Sequence, residues 1–198
     1  MPVPARPAAS LLVVREIATG AEVLMGMRGA GHKFMPNRLV FPGGAVDPED
    51  HGAAVASPLG PHVLARVRIS ATAELAPALA VAAARELEEE TGLSLGAPPH
   101  VGGFAYLCRA VTPEASPVRF DARFFVVDAS KVSGEIAGSG ELEGLRYYPL
   151  AEALALDLAF ATRSVMERLQ TWREMTPRAR LAETRVPVIL NRAWVWES

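Results

Sequence analysis

Arg85-Glu86-Leu87-Glu88-Glu89-Glu90-Thr91-Gly92-Leu93 closes an alanine-rich run, and its reading decides how the chain folds. The run from Ala76 to Thr91 predicts a helix: alanine and leucine are strong helix formers, Pro77 is tolerated in a first turn, and Gly92 is a natural stop. A helix advances about 100° per residue, so Glu86, Glu89 and Glu90 share a face while Glu88 points elsewhere. Three carboxylates on one face repel, each close pair costing roughly 0.2–0.5 kcal/mol in an isolated helix. A divalent cation reverses the sign of that cost, and carboxylate oxygens suit Mg²⁺ or Mn²⁺, ions associated with phosphate chemistry.

Outward from this helix, the pattern alternates. Ser10 to Glu16 reads as a buried strand, Thr19-Gly20 as a turn, and Glu22 to Arg28 as its hairpin partner. Arg38 to Phe41 is a short strand that stops at Pro42, where Gly43-Gly44 permits backbone conformations closed to other residues. His62 to Ile69 reads as a short helix. Val101 to Arg109, Arg119 to Asp128 and Leu145 to Tyr148 read as strands, with a glycine-rich acidic loop from Gly134 to Gly144. Leu150 to Phe160 and Thr162 to Met175 read as helices, and Val186 to Trp196 as a final strand or an irregular tail. Strands interleaved with helices imply an α/β layered fold with a mixed sheet.

The chain has 198 residues, half of them apolar, which fits one domain over 1–198 with a buried core and a loose proline-bearing leader over 1–9. A net charge of −2 argues against general nucleic-acid binding. No apolar run reaches the length of a membrane span, and the first ten residues lack the hydrophobic stretch of a secretory signal. Cys108 is the only cysteine, which excludes an intrachain disulfide and fits a reducing, cytoplasmic setting. His32, His51, His62 and His100 lack zinc-ligand spacing. Cys108 reads as a core residue, Glu74 and Glu88 as surface. Trp194 and Trp196 are assigned to packing or to contacts within a homodimer.

Arg85 to Leu93 resembles the second half of the Nudix box, and Phe41-Pro42-Gly43-Gly44, followed by Asp47 and Asp50, resembles its first half. Leu145-Arg146-Tyr147-Tyr148-Pro149-Leu150 is similar to a strand end common in Nudix domains. One departure is large: Gly44 and Arg85 stand 41 positions apart, so residues 51–76 form an insertion within the box. This leaves the register of Asp50 open. The resemblance implies an α/β/α sandwich and Mg²⁺- or Mn²⁺-dependent hydrolysis of a diphosphate linked to another group. It implies that Glu86, Glu89, Glu90 and the Gly44 carbonyl are metal ligands and that Arg85 orients the carboxylates. A further carboxylate, Glu141 in preference to Glu143, is implied as base or extra ligand.

The stretch from Leu24 to Gly44 partly resembles a coenzyme A motif, with Arg28 at its arginine and Lys33 in place of a second one. Together with the insertion, this resembles the coenzyme A diphosphatase-like subgroup. It implies substrate contacts from Arg28, Lys33 and Phe41. The small-molecule partner is then a nucleoside diphosphate derivative: coenzyme A or an acyl form of it, or alternatively ADP-ribose, a dinucleotide or a nucleotide sugar. The reading from another class is a Nudix-fold module that binds a nucleotide without hydrolysing it.

Overall fold

The computed structural model describes residues 3–29, 31 and 37–198; His32 and Lys33 lie outside the described residues. One mixed sheet runs β3-β2-β1-β6-β5-β8-β9. Its strands are β1 (Arg6–Ile17), β2 (Gly20–Arg28), β3 (Leu39–Val40), β5 (Ala105–Val111), β6 (Phe120–Asp128), β8 (Val186–Leu190) and β9 (Ala193–Glu197). β4 (Gly43–Ala45) joins β1, and β7 (Leu142–Pro149) joins β2. β1 runs parallel to β6 and β5 parallel to β8; the remaining pairs are antiparallel. The helices are α1 (Pro61–Val67), α2 (Leu75–Thr91), α3 (Leu150–Ala155), α4 (Phe160–Glu174) and α5 (Pro177–Ala182).

β1 explains the layering. Its side chains alternate between faces, and both faces are apolar. Leu11 and Val13 pack with Leu79, Ala83 and Leu87 of α2, whereas Leu12 and Val14 pack with Val165, Met166 and Leu169 of α4. The result is the α/β/α sandwich that the resemblance implies. The alanines of α2 let the helix lie close against the sheet, and Cys108 is buried in the second layer, as expected.

Several boundaries move. The leader is shorter than 1–9, because β1 begins at Arg6 and Arg6 to Ala9 pair with β6. The strand expected from Val101 starts at Ala105, after the Gly102-Gly103 bend. α3 ends at Ala155 rather than Phe160, and α4 starts at Phe160. The C-terminal stretch is a hairpin, β8–β9, turned by Asn191 and Arg192 at positive φ. α5 escapes the sequence pattern, although Thr176 caps it and Pro177 opens it. β9 is a sheet edge with Trp194, Val195 and Trp196 exposed. Among the described residues, no helix is long and apolar enough to cross a membrane.

Residues 51–76 are built into this frame rather than laid over it. Leu59 and Val67 are buried in the α2-side core. Arg66 of α1 is 4% exposed and donates to the Tyr106 carbonyl at 2.7 Å, the Arg185 carbonyl at 3.1 Å and Glu183 Oε2 at 3.1 Å. Arg123 of β6, fully buried, donates to the Ser70 carbonyl at 2.6 Å. Each guanidinium ties a piece of the segment to the sheet. Removing one partner of a buried charged pair typically costs about 3–5 kcal/mol. Arg66→Ala is therefore expected to lower unfolding free energy by about 3 kcal/mol or more, read from urea denaturation; a loss below about 1 kcal/mol would mean that Arg66 does not anchor the segment.

Candidate active site

Helix rotation sets how each acid of α2 is used. Leu87 is buried against the sheet, and Glu90, three residues on, follows it inward to 2% exposure. Glu86 is half-buried beside it. Glu89, at the outer margin of the acidic face, has a side chain 58% exposed. The shared face therefore exists but is graded from interior to solvent. Glu88 lies outside it, exposed, accepting from Ser94 Oγ at 3.1 Å.

The diglycine, expected as a turn but held in β4 by its pairing with β1, meets this face. The Gly43 N–H donates to Glu90 Oε2 at 2.8 Å. Gly44, paired with Ala9 of β1, lies so close to Glu86 that a β-carbon there would overlap the carboxylate, with Oε2 only 2.8 Å away. A side chain at 44 would force the Glu86 carboxylate to move aside. Gly92 ends α2 in the left-handed region, at φ 73°, as expected of a helix C-cap.

Arg85 is the hub. Its Nε and Nη2 donate to the two oxygens of Asp50, each at 3.0 Å, and Nη2 also reaches the Ala45 carbonyl at 3.0 Å. Nη1 donates to Glu86 Oε1 at 2.9 Å and Glu89 Oε2 at 3.0 Å. Asp50 is 2% exposed and also accepts the Asp47 N–H at 2.8 Å. Sequence reasoning left Asp50 open; the structure makes it the buried counter-ion of Arg85. The signal was present as an acid shortly after the diglycine, but the insertion hid its register.

Burial and like charge govern the acids. Burial pushes the Glu90 carboxyl up to about 7, with Glu86 and Glu141 adding to the rise; the Gly43 N–H and Arg28 oppose it. Burial also raises Glu86, against the pull of Arg85, while Glu89 and Glu141 add. Glu141 is exposed, immediately before β7, yet its charge acts on both Glu86 and Glu90. Glu143 instead lies within β7, opposite Met27. Arg28 Nη2 stands 3.8 Å from Glu90 Oε1, and its Nε is buried with no hydrogen-bond partner among the described residues.

Among the described residues, no three His, Cys, Asp or Glu side chains already surround one point as a metal cage. The reason is visible: Glu86 and Glu89 are turned onto Arg85. The donor chemistry still fits a hard divalent cation. Glu86 and Glu90 face the Gly43-Gly44 backbone, their pKa values raised first by burial and further by neighbouring carboxylates.

Beside the diglycine, on the α4 side of the sheet, opens a cavity of about 370 Å³. Arg28 and Phe41 line it, so two of the predicted substrate contacts border one space; Lys33 lies outside the described residues. Phe41 packs edge-on against Phe124, with ring centroids 6.2 Å apart. No residue of 51–76 lines this cavity.

A model of the NUDIX domain matches residues 74–169, a span that begins within the last residues of the insertion and excludes the diglycine. The putative nudix hydrolase 7 of Caenorhabditis elegans is 38% identical over 88 residues, covering 44% of this chain and 22% of that protein. The chain thus spans about a fifth of the curated relative it matches. The NUDIX hydrolase from Alicyclobacillus acidocaldarius superposes with a TM-score of 0.65 at 27% identity, covering 83% of this chain and 90% of that one. The NUDIX domain of Shewanella oneidensis NrtR, solved with ADP ribose, superposes with a TM-score of 0.56 at 17% identity, covering 86% and 90%, a likeness of fold.

The Glu90 shift has a measurable consequence. A carboxyl whose pKa rises from 4.5 to about 7 on folding favours the folded state below pH 4.5, and that contribution is lost as pH climbs to about 7. Metal-free protein is expected to lose roughly 3 kcal/mol from this group across that window. Urea denaturation at several pH values in chelator checks it: Glu90→Gln should flatten the profile, and an unchanged slope in that variant would contradict the burial argument.

Proposed function

We propose that this chain, which carries a NUDIX domain, is a pyrophosphohydrolase that uses a divalent cation to cleave the diphosphate linkage of a nucleoside diphosphate derivative. One observation carries the reading: the Gly43-Gly44 turn, despite the long insertion, closes against Glu86 and Glu90 of α2.

Glu86, Glu89, Glu90 and the Gly44 carbonyl would hold Mg²⁺ or Mn²⁺. Such an ion, when bound, neutralises phosphate charge and lowers the pKa of a coordinated water. The protein's own groups do the rest. Arg85, fixed by Asp50, sets the positions of Glu86 and Glu89 through charge-assisted hydrogen bonds. Glu141, at the open side of the acidic face, accepts the proton of the attacking water as its oxygen bonds to phosphorus and the P–O–P bridge breaks. Arg28, with Lys33, offsets the charge of the diphosphate, and Phe41 forms a wall beside it.

The substrate favoured by the Leu24 to Gly44 segment is coenzyme A or an acyl derivative, with ADP-ribose, dinucleotides and nucleotide sugars as the alternatives. The exposed tryptophans of β9 support a homodimer through that edge.

Incubation with a panel of these compounds, read by mass spectrometry, tests the proposal. Two phosphate-bearing products are expected with Mg²⁺ or Mn²⁺, and none in chelator. Glu89→Gln and Glu90→Gln should each lower kcat by about 100-fold or more; wild-type rates in both would refute the assignment. Asp50→Asn, acting only through Arg85, should raise the metal concentration needed for half-activity by about 10–100-fold. Tight nucleotide binding without any product would instead make the chain a binding module.

A further inference from the structure

The cavity beside the diglycine has two unlike ends. At the first, Arg28 sits beside Gly43 and Gly44, its side chain 20% exposed and its Nη2 3.8 Å from Glu90 Oε1. A partly exposed guanidinium draws an anionic oxygen through charge-assisted hydrogen bonds. Beyond this end the wall is hydrocarbon: Val40, Phe41, Ala110, Phe124, Ala161 and Ile189. The polar side chains lining the space are hydroxyls and arginines, with no Asn, Gln, Asp, Glu or His among the described residues. Those absent types pair with the edge of a base or the hydroxyls of a sugar in two-point contacts. Thr112 Oγ1 already accepts the Phe120 N–H at 3.0 Å, and Arg192 lies with its guanidinium 4.6 Å from the Phe160 ring centre.

Resting on the proposed hydrolysis of a diphosphate, we infer that this cavity selects substrates in which a hydrocarbon group adjoins the diphosphate, seated with the anionic end at Arg28 and the hydrocarbon along Phe41, Phe124 and Ala161. A sugar or base placed along Val40, Phe41, Ala110, Phe124, Ala161 and Ile189 would surrender its water contacts to side chains that form no hydrogen bonds. A hydrocarbon surrenders none and gains from leaving water. The same preference separates coenzyme A, whose pantoyl arm sets a dimethyl-bearing carbon next to the diphosphate, from ADP-ribose, which has sugars on both sides. The cleavage itself is unchanged: water oxygen bonds to phosphorus, the bridging P–O bond breaks, and the organic group leaves as its monophosphate.

Affinity isolates this claim from turnover. A homologous series of n-alkyl methylenebisphosphonates, in which a CH₂ replaces the bridging oxygen, cannot be cleaved and is titrated by calorimetry with Mg²⁺. Each added methylene from ethyl to octyl should tighten binding about fourfold, equivalent to about 0.8 kcal/mol per buried CH₂. The methylene analogue of ADP-ribose should bind more weakly than the octyl compound. Ala161→Trp, which fills the cavity from the first turn of α4, should weaken octyl binding at least tenfold and leave ethyl binding within twofold, with an unchanged melting temperature. An affinity independent of chain length, or tighter binding of the ADP-ribose analogue, overturns the inference. Turnover of oxygen-bridged octyl diphosphate and ADP-ribose, measured in parallel, reports separately on hydrolysis: cleavage without chain-length dependence leaves the proposed activity standing and removes the specificity, and chain-length-dependent binding without cleavage does the reverse.

Discussion

One guanidinium holds the acidic helix to the diglycine turn. Arg85 grips Asp50 with two parallel hydrogen bonds, takes the Ala45 carbonyl, and still reaches Glu86 and Glu89. Without it, five acids (Asp47, Asp50, Glu86, Glu89 and Glu90) would crowd a small volume. Arginine suits this task because its planar fork serves several acceptors in fixed directions, which a lysine cannot do. The pairing also explains why Asp50 tolerates near-complete burial: a carboxylate with two charge-assisted bonds and a backbone N–H has its acceptors satisfied.

That constraint makes the insertion tolerable. Residues 51–76 begin just after Asp50 and end where α2 starts, so both ends are fixed by the Arg85–Asp50 pair and by the packing of α2 on β1. Between those ends the segment is free to lengthen, because loop closure grows costly only slowly with length. It has used that freedom to add core: Leu59 and Val67 are buried, and Arg66 and Arg123 secure it to the sheet. It lies on the α2 side, whereas the cavity opens on the α4 side. The segment therefore stabilises the frame that positions the acids and takes no part in the cavity wall.

The helix of α2 was legible almost to the residue, because alanine-rich propensity, a periodic apolar stripe and Gly92 all agree. The layering was legible too, since β1 is apolar on both faces. What escaped were features set by partners distant in sequence. The register of Asp50 depends on contacts across the insertion. The early start of β1 depends on β6, more than a hundred positions away. The grading of Glu90, Glu86 and Glu89 from interior to solvent depends on how α2 rolls against the sheet, which periodicity alone does not fix. α5 carried local signals, Thr176 and Pro177, but is too short for a periodic pattern to register.

The charge balance gives the site its direction. Arg28 and Arg85 are the cations among the described residues that contact the acidic face, and Arg85 is saturated by acceptors on the protein itself. Arg28, 20% exposed, makes one looser contact there, to Glu90 at 3.8 Å. The acids near Glu90 thus outnumber the charge available to offset them, which is why burial and mutual repulsion together hold that carboxyl at a pKa near neutrality. An anionic substrate arriving alone would worsen the imbalance on the α2 side and relieve it only at Arg28. In the proposed reaction, a divalent cation arriving with the diphosphate would correct both, because it is attractive to the acids and to the phosphate oxygens together. On that proposal the arrangement would favour cation and diphosphate binding as a pair over either one alone.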